Sequence, residues 1–183
     1  MTAEVWLRPN RRILAVAALL PGLAFAAGCG LLLFAWGDES RRWLLATGAV
    51  AAAVSLAGVA FLLWQASLPR LGYDGRHLEV YLGTAKPVRV PIEVVEGFLL
   101  GRGPSFLPGR QQQQTEVANL VVRLAERAGE WERVEVNRQF GTWCGHYITI
   151  RGTWCERLSV ALVNRLNTRL AEAQQALKHE AAR

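Results

Sequence analysis

Two long stretches of this chain carry no charge. No Asp, Glu, Lys, Arg or His occurs from Ile13 to Trp36, nor from Trp43 to Trp64. That argues against a proton path or ion pathway through them, because intramembrane ionisable groups mark such pathways. Catalytic signatures are missing as well. No phosphate loop, Gly-x-Ser-x-Gly elbow or His-Glu-x-x-His is present. The 3 cysteines form no Cys-x-x-Cys pair, which excludes the usual zinc knuckles. Lysine is confined to Lys86 and Lys178, so arginine carries most of the net charge of +6. That charge is spread along the chain without an aromatic-basic stripe, which argues against nucleic acid as a partner.

The uncharged stretches read as membrane spans. A hydrocarbon core of about 30 Å needs roughly 20 apolar residues at about 1.5 Å rise each. Both segments meet that length, and the polar link Gly37–Arg42 between them is too short for a domain. The spans therefore run antiparallel as a hairpin over 13–66, with helices at 13–36 and 43–64. Trp36, Trp43 and Trp64 stand at the ends, where amphipathic indoles favour the interface. Gly22, Ala26 and Gly30 recur every fourth residue in the first span, and Ala49, Ala53 and Ala57 do so in the second. Small faces of this kind imply close packing within the hairpin, with any leftover face a candidate for homo-oligomerisation. Arg11-Arg12 before an apolar run ending near Ala24-Phe25-Ala26 has the order of a cleaved signal, and Ala26-Ala27-Gly28-Cys29 faintly resembles a lipoprotein box. The uninterrupted run Leu31-Leu32-Leu33-Phe34 argues against cleavage there. Orientation follows from arginines near the span ends. Arg8, Arg11, Arg12, Arg70 and Arg76 stand on one side against Arg41 and Arg42 in the link. The count predicts an inner-membrane, multi-pass protein with both termini and the remaining domain in the cytoplasm.

Residues 1–12 read as a basic tail too short to fold alone, suited to anionic head groups of the bilayer. Residues 67–183 are enough for one self-sufficient core. Leu78, Val80 and Leu82 alternate with His77, Glu79 and Tyr81, which predicts a strand; Val88, Val90 and Ile92 predict a second. Val94-Val95 and Phe98–Leu100 continue it or begin a third, and Pro87 and Pro91 suggest an edge. Gly101–Thr115 reads as a loop, followed by strands through Leu120–Leu124, Val134-Val136 and Ile148–Ile150. A terminal helix is predicted over 159–178, with Ser159 as its cap and a stripe of Val163, Leu166, Leu170, Ala173 and Leu177.

The run from Arg76 through Leu100 and the closing helix resemble a bacterial pleckstrin-homology-like (PH-like) domain. VPIEVVEGFLLG and GTWCERLSVALVNRLN are similar to segments of small, uncharacterised bacterial membrane proteins with an N-terminal helix hairpin. The resemblance implies a membrane-anchored α+β protein: a transmembrane helix hairpin, then an antiparallel β-rich PH-like domain closed by a C-terminal helix. It implies binding rather than catalysis, through a partner protein of unknown identity. The basic cluster of phosphoinositide-binding relatives is absent, since Gly83–Lys86 holds one lysine. No cofactor is implied.

Two constellations merit a role. In the loop, Phe106 and Leu107 are the large apolar residues, flanked by Arg102 and Arg110, which makes it a candidate contact loop for a partner or the bilayer. Gly141-Thr142-Trp143-Cys144 repeats as Gly152-Thr153-Trp154-Cys155 around the strand His146–Arg151. Cys144, His146 and Cys155 are the candidate thiol or metal residues, and a small membrane-associated enzyme using them is the alternative to an interaction module. Packing of tryptophans and small buried thiols is the simpler account of the repeat. Glu93, Glu96, Glu130, Glu132 and Glu135 read as solvated carboxylates.

Overall fold

A computed structural model describes residues 4–36, 41–83, 86–104, 116–127, 129–131 and 134–181. The chain forms two compact units, residues 11–67 and residues 1–10 with 68–183.

The first unit is the helical hairpin. Helix α1 spans Arg11–Ala35 and α2 spans Arg42–Ser67. Both are long and apolar enough to cross a membrane. At 1.5 Å per residue each is about 38 Å long. Their close approach lies at Gly28, where an added Cβ would stand 2.9 Å from the Ala52 amide nitrogen and 3.0 Å from the Gly48 carbonyl oxygen. The contact is therefore backbone against backbone, which only small residues permit. This corrects the expected faces. Ala26, Gly30, Ala49, Ala53 and Ala57 are exposed, and a Cβ on Gly22 or Gly30 would meet nothing within 4 Å. A four-residue repeat drifts around a helix of 3.6 residues per turn, and the packed seam instead follows Gly48, Ala52 and Ser55 on α2.

The second unit is β-rich. One sheet has the order β1 (Glu4–Leu7), β2 (Leu71–Tyr73), β3 (His77–Val80) and β4 (Val88–Pro91). The other has β5 (Val95–Pro104), β6 (Glu116–Leu124), β8 (Tyr147–Arg151) and β7 (Gly141–Cys144), in that order. All pairs are antiparallel. Residues 4–7, expected as part of a tail, pair with β2 through Glu4↔Tyr73 and Leu7↔Leu71. The bulge between Val5 and Leu7 lets both Trp6 and Leu7 turn inward, so this strand is held by burial rather than by length. The hairpin is thus an insertion between two neighbouring strands of one sheet.

Leu78, Val80, Leu82, Val90 and Ile92 are buried, as their alternation predicts. The expected strand at Val134-Val136 does not form; residues 134–137 belong to no strand. Instead β7 arises from Gly141–Cys144 and pairs with β8. The ladder of β5 also runs further than expected, through Gly101 to Pro104. Helix α3 covers Val160–Ala181, and the Leu162 amide donates to Ser159 Oγ at 3.2 Å, which caps it. Val163, Leu166, Leu170 and Ala173 are buried in the core, with Leu177 packed against it. Two amides dock the helix on β5. Asn167 accepts from the Phe98 amide at 2.8 Å and donates to its carbonyl at 3.0 Å. Gln174 Nε2 donates to the Ile92 and Val95 carbonyls at 3.0 and 2.8 Å.

Candidate functional site

The Gly-Thr-Trp-Cys repeat is explained residue by residue. A Cβ on Gly141 would collide with the Thr149 carbonyl oxygen, and one on Gly152 with that of Ala118. Glycine is required at both places because a neighbouring backbone runs alongside. The tryptophans then diverge. Trp143 donates its indole N–H to the Trp131 carbonyl at 2.6 Å and stacks on that ring at 6.5 Å. Trp154 leans on Phe140 at 5.3 Å. Its carbonyl accepts from the Asn10 amide at 3.1 Å and from Arg70 Nε at 3.1 Å.

The cysteines diverge too. Cys144 is exposed at the end of β7, opposite Tyr147, whereas Cys155 is buried beyond the far end of β8 and bridges to Pro9. Five residues of β8 separate those ends, about 16 Å at 3.3 Å per residue. All three cysteines of the chain are free thiols. His146 sits in the β7–β8 turn beside Cys144, with its Nδ1 buried and without a hydrogen-bond partner among the described residues. The structure therefore brings Cys144 and His146 to one turn and leaves Cys155 elsewhere. Among the described residues no three His, Cys, Asp or Glu side chains gather as a metal site. Burial pushes the Cys155 thiol up to about 12, and the nearby Arg70 only partly opposes this. Such a thiol is a core residue rather than a nucleophile, because the thiolate is the reactive form.

Arg70, a juxtamembrane charge by its place in the sequence, is 1% exposed. Its amide donates to the Leu7 carbonyl at 2.8 Å, and its own carbonyl accepts from the Tyr81 amide at 3.1 Å. The guanidinium lies 4.7 Å over the Phe140 ring, and its buried Nη2 has no partner among the described residues. Burial lowers its pKa from the ordinary arginine value. The ring face and the Trp154 carbonyl offset part of the cost of taking this cation out of water. Glu79 is a second charge that alternation had placed outward. It is 4% exposed, held by Arg89 Nε at 3.1 Å and the Tyr81 hydroxyl at 3.0 Å. The signal for that pair was available in the register, since Glu79 faces Arg89 across β3 and β4.

Of the contact-loop residues, Phe106, Leu107 and Arg110 lie outside the described residues. Arg102 is exposed near the end of β5, beside a hollow of about 450 Å³ lined by Leu100, Gly101, Arg102 and Ala118. Leu99 and Leu100 on the same strand are also exposed. A second, shallower hollow of about 480 Å³ holds Glu93, Glu96, Glu126, Arg127 and Gln174. Glu96 there is paired with Arg123 at 2.7 Å, as expected of a surface carboxylate.

Comparison with protein-family models, with curated protein sequences and with solved structures gives no match to this chain.

Proposed function

We propose that the chain is a membrane-anchored, non-enzymatic interaction module. In this reading α1 and α2 cross the inner membrane, and a PH-like β domain on the cytoplasmic side binds a protein partner. The observation that carries it is the insertion of the apolar hairpin between β1 and β2, whose residues Leu7 and Leu71 are paired. Strands that share a ladder lie on one side of a bilayer, so an even number of spans between them is required. The two helices supply it. The arginine count then favours the cytoplasmic side.

The contact surface in this proposal is the distal end of β5. Asn167 occupies the outward-facing amide and carbonyl of Phe98, as a neighbouring strand would. Past that point Leu99, Leu100 and Arg102 are exposed beside the 450 Å³ hollow. Exposed apolar residues on an edge strand suit pairing with an extended segment of another protein. The alternative, an enzyme at Cys144, His146 and Cys155, is weakened because Cys155 lies at the far end of β8 from the turn that holds the other two.

Reporter fusions test the topology. Alkaline phosphatase joined after residue 183 should be inactive, and the same reporter joined within the 37–40 link should be active. Activity at residue 183 would overturn the orientation. Release of the chain from membranes by alkaline carbonate would overturn the anchor.

A further inference from the structure

The hairpin does not close evenly along its length. Its helices touch at Gly28 and Ala52, and contact persists at Pro21, whose Cβ would lie 3.7 Å from one built on Gly58. Beyond Pro21, toward Arg11 and Ser67, Leu14 and Gln65 are buried, but Ala15, Ala18 and Ala66 leave space beside them. There a groove of about 390 Å³ opens, walled also by Leu14, Leu62 and Leu63, with Arg11 and Ser67 at its rim. That volume lies within the range of small-molecule sites, roughly 300–1,000 Å³.

The groove has one chemical polarity. Its walls are hydrocarbon, and the ionisable group at its rim is an exposed guanidinium. Neither helix contains an Asp or Glu to neutralise it, and Arg12 adds a second positive charge alongside. The Ser67 hydroxyl is already engaged, donating to the Trp64 carbonyl at 2.7 Å. An apolar helix of another protein would fill the walls and leave Arg11 without a counter-charge. A zwitterionic lipid brings a phosphate too, but its own ammonium already neutralises that charge and would sit beside Arg11 and Arg12 as a like charge. A ligand with an alkyl chain and an anionic head satisfies both parts, since arginine forms charge-assisted, often bidentate hydrogen bonds to phosphate.

We propose that this groove is a binding site for one anionic phospholipid, with an acyl chain between α1 and α2 and its phosphate on Arg11. The inference rests on the membrane reading above. It turns the anchor from a passive span into an element that selects its lipid.

The test uses the full chain purified in mild detergent and exposed to an equimolar mixture of phosphatidylglycerol and phosphatidylcholine, with retained lipid read by native mass spectrometry. The expected result is one lipid per chain, phosphatidylglycerol favoured about fivefold, the ratio corresponding to the roughly 1 kcal/mol of one arginine near an anionic surface. Arg11→Gln should equalise the two lipids while keeping occupancy. Ala18→Phe with Ala66→Phe should fill the groove and lose both. Retention without preference in the natural chain, or preference unchanged in either variant, would overturn the proposal. Carbonate extraction of the same membranes separates the two levels of failure: a chain that is released refutes the anchor itself, and a chain that stays but shows no lipid preference refutes only the groove.

Discussion

The hairpin and the β domain use the same apolar residue types in opposite ways. In the domain Phe98, Leu120, Ile148 and Leu166 are sequestered, while Arg89 and Glu93 face outward. In the hairpin Leu20, Leu33 and Phe34 face outward, with Leu20 78% exposed, and glycine and alanine occupy the contact. Burying a large side chain stabilises a water-soluble core by roughly 1.5–3 kcal/mol. In the bilayer that the proposed function assigns to the helices no such gain exists, and their contact would rest on close packing of small surfaces instead. On the membrane reading proposed above, one chain is written for two solvents. The two parts are also not sequential, because Trp6 and Leu7 belong to the domain core yet precede the hairpin.

The largest effect should come from separating those two residues from the rest. A 67–183 fragment lacks β1, leaving β2 as a bare edge and removing Trp6 from between Tyr73 and Phe98, whose rings lie 5.1 and 6.2 Å away. It should not unfold cooperatively in denaturant. Joining residues 4–10 to 68–183 through a short glycine linker should restore a sharp transition, and Trp6→Ala within that version should cost about 3–5 kcal/mol. Equal stability of the two versions would show that β1 is dispensable.

A smaller effect sharpens the same contrast. Leu166→Ala should destabilise the domain by about 2–5 kcal/mol, since it leaves a cavity under α3 at a site that is 1% exposed. Leu20→Ala, chemically the same change, should alter the chain's thermal stability in detergent by less than about 0.5 kcal/mol, as expected at an exposed position. Comparable losses would mean that Leu20 is covered and that the outward face of α1 is an interface.

What was legible in the sequence follows from the same division. Uniform features were read well. The uncharged runs became α1 and α2, and the stripe from Val163 to Ala173 became the inner face of α3. Alternation revealed β3 and β4 because each has one face in the core. Short strands held by distant partners were missed. β2 has 3 residues and β1 has 4, and neither shows a period on its own. Charges followed by a span made residues 1–12 look like a tail, although Val5-Trp6-Leu7 was an apolar cluster with no use in a solvated arm. Val134 and Val136 misled in the other direction, since two alternate valines satisfy a strand pattern without a partner to pair with. Arg70 was invisible as a core residue. Nothing local distinguishes a juxtamembrane arginine from one whose charge is stacked on a ring 70 residues away.

The smallest expected effect concerns the two cysteines of the repeat, which sit in the same sequence context and opposite environments. Cys155 is fully buried with its thiol pushed up to about 12, and Cys144 is exposed. Unfolding returns a thiol to about 8.5. Between those values the unfolded chain has already lost the proton that the folded chain retains. The contribution of Cys155 to stability is therefore complete below about pH 8.5 and is lost progressively as pH rises toward 12. Replacing it with alanine should remove that alkaline decline while changing neutral stability less than Leu166→Ala does. The same difference governs labelling. At pH 8 burial keeps the Cys155 thiol protonated in the folded state, well below its pKa of about 12, and the side chain is also shielded from reagent. In a Cys29→Ala background, iodoacetamide should modify Cys144 in the native protein and reach Cys155 only after denaturant is added. Equal rates at both positions in the folded chain would mean that the contact between Pro9 and Cys155 opens readily, and that β1 is held to the domain far more loosely than its buried Trp6 and Leu7 imply.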